Sequence, residues 1–190
     1  MSPARGDPVH FAVDANASLF SVQAFASGIV AVIAHSPKFA MRDVSGEVVF
    51  DSSMPNESSV AVTIRLSSLE IMDEVTNADR REIERIMFSE VLENKVYPNA
   101  EFRSTRVEVT NTGENMYRVI LSGDVTLHGI TRGLGFESQL VAGVETLRAQ
   151  GSFSLLQSAF GLKIASVANG TLKLKDQLKF GFFLIARRKD

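Results

Sequence analysis

A chain of 190 residues is long enough to enclose a large apolar interior and short enough to read as one domain. Its 20 basic and 22 acidic residues create no global field to gather phosphates, and the one basic run, Arg187-Arg188-Lys189, is short, so nucleic acid is excluded as an expected partner. The absence of cysteine removes disulfides, thiolate metal sites and thiol nucleophiles together.

Residues 1–7 read as a loose terminus and 8–190 as a single domain. The opening "MSPARGDPVHFAV" has no apolar stretch of signal-peptide length. The longest apolar run, "GIVAVIA" from Gly28, is too short to span a bilayer and fits a strand or one to two helical turns equally well. As written, the chain is expected in the cytoplasm, without a membrane span; removal of a leader would make it periplasmic.

From Val60 the pattern has period two, the signature of strands buried on one face. Val60, Val62, Ile64 and Leu66 face one way, with Ala61, Thr63 and Arg65 opposite. The stretch "TNADRREIERIMFSEVLENK" breaks this rhythm. There Ile83, Ile86, Met87 and Val91 fall on one helical face, Thr76 with Asp79 resembles a capping box, and Tyr97-Pro98 ends the run. The spacing predicts a helix inserted between two strands, lying either across an end of the fold or on its outer sheet, with Arg80, Arg81, Glu84 and Arg85 in water.

Alternation returns at Val119, Leu121, Gly123, Val125 and Leu127, opposed by Arg118, Ser122, Asp124 and Thr126. Beyond a turn at "HGITRG" come Leu134, Phe136 and Leu140, then Phe153 and Leu155, then Leu178, Phe180, Phe182 and Leu184. Phe183 and Ile185 interrupt the last series, which predicts cover on both faces there and allows for a homodimer. Turn signals at Asp43, Asp51, Asn111 and Val141 join the runs consecutively, so an antiparallel meander is expected. The fold class is therefore mainly β, an antiparallel barrel of about eight strands with one inserted helix, because closure removes exposed edges.

Catalytic constellations are missing from this pattern. His10, His35 and His128 are isolated in the sequence, and no nucleophile elbow or phosphate-binding glycine loop is present. Neither a cofactor nor a metal is expected. The matches to a glycosylation sequence at Asn16, Asn56 and Asn169 would matter only in a secreted protein. His128 ends the strand of Val125 and Leu127 on the opposite parity, which points to a solvated or hydrogen-bonded imidazole at the barrel rim. Thirteen phenylalanines and no tryptophan supply apolar volume without a polar handle, which suits a greasy ligand or a packed core.

Five segments carry a family resemblance: "SGEVVFD" at Ser45, "YPNAEFRST" at Tyr97, "GDVTLHGITR" at Gly123, "SAFGL" at Ser158 and "LKLKDQLKF" at Leu172. In order and approximate spacing the chain resembles the YceI-like proteins. That resemblance implies a lipocalin-like barrel that binds, sequesters or transports a polyisoprenoid or isoprenoid quinone inside it, with roles proposed in bacterial stress response. The expected ligand-binding residues are the inward set: Val60, Val62, Ile64, Val119, Leu121, Val125, Leu127, Phe136, Leu140, Phe153, Leu155, Phe180, Phe182 and Leu184. Two other readings stay open: a metal-assisted hydrolase or isomerase using His35 or His128, and a filled barrel serving as a structural or interaction protein.

Overall fold

In a computed structural model of the chain, which describes residues 8–27, 36–164, 166–167 and 172–189, period-two segments pair into one antiparallel sheet. Its strands are β1 (Val9–Val13), β2 (Leu19–Ser27), β3 (Lys38–Met41), β4 (Val44–Phe50), β5 (Ser59–Arg65) and β6 (Leu69–Ile71). After helix α1 (Asn77–Ile86) come β7 (Asn99–Gly113), β8 (Met116–Leu127), β9 (Ile130–Ala142), β10 (Thr146–Leu156), β11 (Ser166–Val167) and β12 (Leu172–Arg188). The sheet runs β1-β4-β5-β7-β8-β9-β10-β12, and β12 pairs back onto β1, closing an eight-stranded barrel. The stretch "GIVAVIAH" lies outside the described residues.

More strands form than the alternation suggests, because three barrel staves are each broken in two. The first stave is β1 and β2, interrupted by a single 3-10 turn at Ala15–Ala17. Asp14 caps that turn, its carboxylate accepting from the N–H groups of Asn16 and Ala17 at 3.1 and 3.2 Å. β12 changes partner at this break: Phe183 still pairs with Leu19 of β2, whereas Ala186 pairs with Val13 of β1. Across the gap, the Ser18 hydroxyl accepts from the Ile185 N–H at 3.0 Å and lies 3.3 Å from its carbonyl. The other broken staves are β3 with β4, and β5 with β6, whose short halves continue the sheet as β2-β3-β6.

This break corrects the reading of Ile185. Its disruption of the alternation marks cover by the chain itself, since Ile185 is buried under the turn that carries Asp14 and Ser18. Phe183 remains exposed.

Helix α1 starts as its capping residues require: the Asp79 N–H donates to the Thr76 hydroxyl at 3.2 Å. It then widens into a π turn at Met87–Val91. Ile83, Ile86 and Met87 are half-buried and Val91 is buried, all packed on the main core. Arg81 and Arg85 are exposed as expected, but Arg80 and Glu84 are half-buried. The reason for Arg80 lies in the sheet. β6 is the last strand of its path, and the Arg80 guanidinium donates at 3.0 Å to the Ile71 carbonyl on it, satisfying a backbone acceptor that would otherwise need water.

Candidate functional site

The inward residues of the staves enclose a cavity of about 200 Å³. It runs from Phe39, Leu69 and Leu92 beneath the helix to Val109 and Leu140 near the β7–β8 hairpin. Met87, Val91 and Leu92 form part of its wall, so the inserted helix covers an end of the barrel rather than an outer sheet face. The polar residues on the wall are Ser58, Glu101, Ser138 and Gln157. Gln157 spends its amide on the barrel itself, donating to the Lys175 carbonyl at 2.9 Å.

Aromatic side chains line one side of the cavity as a connected series. Phe102 and Phe136 have centroids 5.4 Å apart, Phe136 and Phe153 are 5.0 Å apart, and Phe153 stacks on Phe180 at 5.1 Å. Phe102, and Phe182 whose ring lies 5.7 Å from that of Phe136, occupy space left by missing Cβ atoms. A methyl at Gly151 would sit 2.7 Å from the Phe182 ring, and one at Gly123 would sit 2.8 Å from the Phe102 ring. The rings therefore lie against the wall over cross-strand glycines instead of reaching across the lumen. That arrangement leaves the interior hollow despite thirteen phenylalanines.

Every residue of the expected inward set lies on this wall. Val60, Val62 and Ile64 come from β5, and Val119, Leu121, Val125 and Leu127 from β8. Phe136 and Leu140 come from β9, Phe153 and Leu155 from β10, and Phe180, Phe182 and Leu184 from β12. Sequence reasoning missed the wall contributed by two of the broken staves, β1–β2 and β3–β4: Phe20, Val22, Phe39, Met41, Val48 and Phe50. Their alternation is as regular as that of β5, and only β3, with four residues, is a shorter run.

His128 is placed away from the cavity wall. With Gly129 it forms the two-residue turn between Leu127 and Ile130, at φ 51 and 73 respectively, the handedness that two-residue hairpins require. Its Nε2 lies 2.8 Å from the Glu93 carboxylate, its ring centroid is 4.3 Å from that of Tyr97, and its side chain is 12% exposed. The imidazole is therefore hydrogen-bonded and largely enclosed rather than solvated. His10 is separately occupied, its Nδ1 2.7 Å from Glu47. Among the described residues, no group of three or more His, Asp or Glu side chains converges as a metal site would require. His35 and Asn169 lie outside the described residues.

Comparison with known proteins agrees with this architecture. The model of the YceI-like domain matches residues 9–184. The UPF0312 protein of Photorhabdus laumondii is 30% identical over 135 residues, covering 71% of this chain and 59% of that protein. Thus the match spans less than two thirds of that relative's length. A UPF0312 protein of Pseudomonas putida is also 30% identical over 139 residues, covering 70% of this chain and 67% of that one. Among solved structures, a polyisoprenoid binding domain from Saccharophagus degradans superposes with a TM-score of 0.71 at 15% identity, over 95% of this chain and 99% of that one. BcnA of Burkholderia cenocepacia gives 0.70 at 20% identity, over 91% and 98% respectively. Those two similarities concern the fold, whereas the domain match covers most of the sequence, and on that extent the chain belongs to the YceI-like family.

Proposed function

We propose that the barrel binds a long-chain hydrophobic or amphipathic molecule, a polyisoprenoid or isoprenoid quinone, and sequesters or carries it without transforming it. The observation that carries this reading is the continuous apolar cavity, walled by inward residues from every stave. Burial of an aliphatic chain contributes about 0.8 kcal/mol per methylene before ordering losses, so affinity does not need a catalytic constellation or a specific polar contact. The Saccharophagus neighbour, described as polyisoprenoid binding, supports the choice of ligand class.

Organic extraction of the purified protein, followed by mass spectrometry of the extract and reloading with prenyl alcohols or quinones, tests the proposal. A stoichiometric copurifying lipid or saturable uptake is the expected result. A protein that yields no lipid and takes up none of these compounds overturns it.

A further inference from the structure

We propose that the barrel wall is split between β9 and β10, and that this split is a subsite for the ligand's polar head group, built to accept an uncharged head. The inference rests on the reading of the barrel as a container for a long-chain molecule. It begins with the strand registers. The β8–β9 ladder continues to Leu127 opposite Ile130, and the β10–β12 ladder continues to Leu156 opposite Gln177. The β9–β10 ladder stops much earlier, at Gly151 opposite Ser138. Beyond that pair, Ile130–Glu137 and Ser152–Leu156 form no ladder with each other.

A surface groove lies at the end of this ladder, and Ser138 and Phe182 line both the groove and the internal cavity. At these residues the wall is one sheet thick, with Ser138 paired to Gly151 and Gly151 to Phe182 at the last rung of the β9–β10 ladder. The wall there is aromatic, with Phe136 5.0 Å from Phe153 and 5.7 Å from Phe182. On the outer side, Gly181 contributes no side chain to the groove, and the Ser21 hydroxyl of the paired strand leans over it, 3.4 Å from the Gly181 carbonyl.

Ser138 supplies the second observation. It is 4% exposed, it shares the inward parity of Phe136 and Leu140, and its hydroxyl has no hydrogen-bond partner among the described residues. Every described side-chain polar atom that is fully sealed has a partner, so the Ser138 hydroxyl must front open space. Its inward parity turns that hydroxyl toward the cavity, whose wall Ser138 lines. A lone hydroxyl in an apolar wall is a poor packing element but a suitable donor or acceptor for a ligand atom. On the outer rim, the Gln150 amide donates to the Gln139 carbonyl at 2.9 Å, leaving one amide N–H₂ and one amide oxygen of the pair with capacity for a second partner.

The charge at this site decides the chemical class. Among the described residues, no lysine or arginine lines either the groove or the cavity. The charged residue of the groove is Glu137, whose carboxylate lies 3.6 Å from the Arg118 guanidinium, itself outside the lining. A phosphate or pyrophosphate placed here would meet a like charge and no lysine or arginine on the lining, whereas a hydroxyl, ketone or amide head would meet neutral polar groups. The seam also means that a long chain need not be wholly enclosed to bind.

The test uses extracted protein and three probes with the same kind of chain: phytane, geranylgeraniol and geranylgeranyl phosphate, followed by native mass spectrometry and displacement of an apolar dye. Geranylgeraniol is expected to bind at least tenfold more tightly than the phosphate. Ser138→Ala, which removes a hydroxyl with no protein partner and so preserves the fold, is expected to weaken the alcohol about five- to tenfold and leave phytane unchanged. Gly181→Trp, which fills the groove floor from outside, is expected to act on the alcohol in the same direction. Equal or tighter binding of the phosphate, or an unchanged affinity of Ser138→Ala for the alcohol, overturns the subsite. Failure of the wild type to bind phytane overturns the container reading instead, so the two failures are distinguishable.

Discussion

Placing a phenyl ring in the lumen at Ala149 distinguishes an open interior from a packed one by the sign of the stability change. Ala149 is half-buried on β10, opposite Leu140 of β9 and Leu184 of β12, and lines the cavity. At roughly 24 cal/mol per Å³, an unfilled void of about 200 Å³ costs about 5 kcal/mol relative to a filled interior. A ring entering that void gains about 1.5–3 kcal/mol of burial. The same ring forced into a close-packed core loses about 1–3 kcal/mol. At about 2–4 °C per kcal/mol for a chain of this size, Ala149→Phe is expected to raise the Tm of extracted protein by roughly 3–12 °C. It is also expected to reduce the uptake of a prenyl probe, because ring and ligand compete for one space. Thermal and urea denaturation followed by circular dichroism, with a parallel probe titration, reads both effects. A Tm that falls by several degrees, or one that rises while probe capacity is retained, refutes the hollow-lumen reasoning.

Other perturbations report on the parts that hold this cavity open. Gly123→Val would bring its side chain against the Arg103 carbonyl and the Phe102 ring and is expected to destabilise the barrel by about 2 kcal/mol or more, measured by urea denaturation. Arg80→Met leaves the Ile71 carbonyl without its donor and is expected to cost about 1–2 kcal/mol, with faster amide exchange in β6 and α1. His128→Ala removes the Glu93 hydrogen bond and the Tyr97 contact, so a loss of about 1–2 kcal/mol with unchanged probe affinity is expected; a large loss of binding would place the imidazole in the site after all. The hydrogen bond from Arg187 at 2.6 Å, reinforced by backbone N–H groups, holds the Asp14 carboxyl below its ordinary value of 3.8. The unfolded chain therefore takes up this proton first as acid is added, and the group's contribution to stability, complete above that value, is lost as pH falls through the depressed folded value. Urea titrations between about pH 6 and about pH 3 should show a shallower acid loss in Asp14→Asn than in the wild type.

The barrel was legible in the sequence where strands are long. Val119 to Leu127 and Phe180 to Leu184 repeat with period two over enough residues to fix which side chains point inward, and all of them line the cavity. Phe20 and Val22 alternate as cleanly within the nine residues of β2, and Phe39 and Met41 within the four of β3, but their place depends on β12 exchanging one partner for another at Ser18. A local pattern carries no information about such an exchange. Ile185 shows the same limit, since its cover comes from Asp14 and Ser18, far away in the sequence. The parity of His128 put it outside the lumen, but Glu93 and Tyr97, the groups that enclose it, are brought there by the turn after the π-helical segment, and nothing in the sequence signals their contact with it. The end of the β9–β10 ladder is likewise invisible in sequence, because both strands continue their alternation past the point where they part.

Native mass spectrometry of the extracted wild type beside Ala149→Phe, each mixed with geranylgeraniol, tests the central claim most directly. A one-to-one complex with the wild type and a strongly reduced one with the variant is the predicted result. No complex with the wild type, or equal binding by both proteins, would contradict a ligand held inside the barrel.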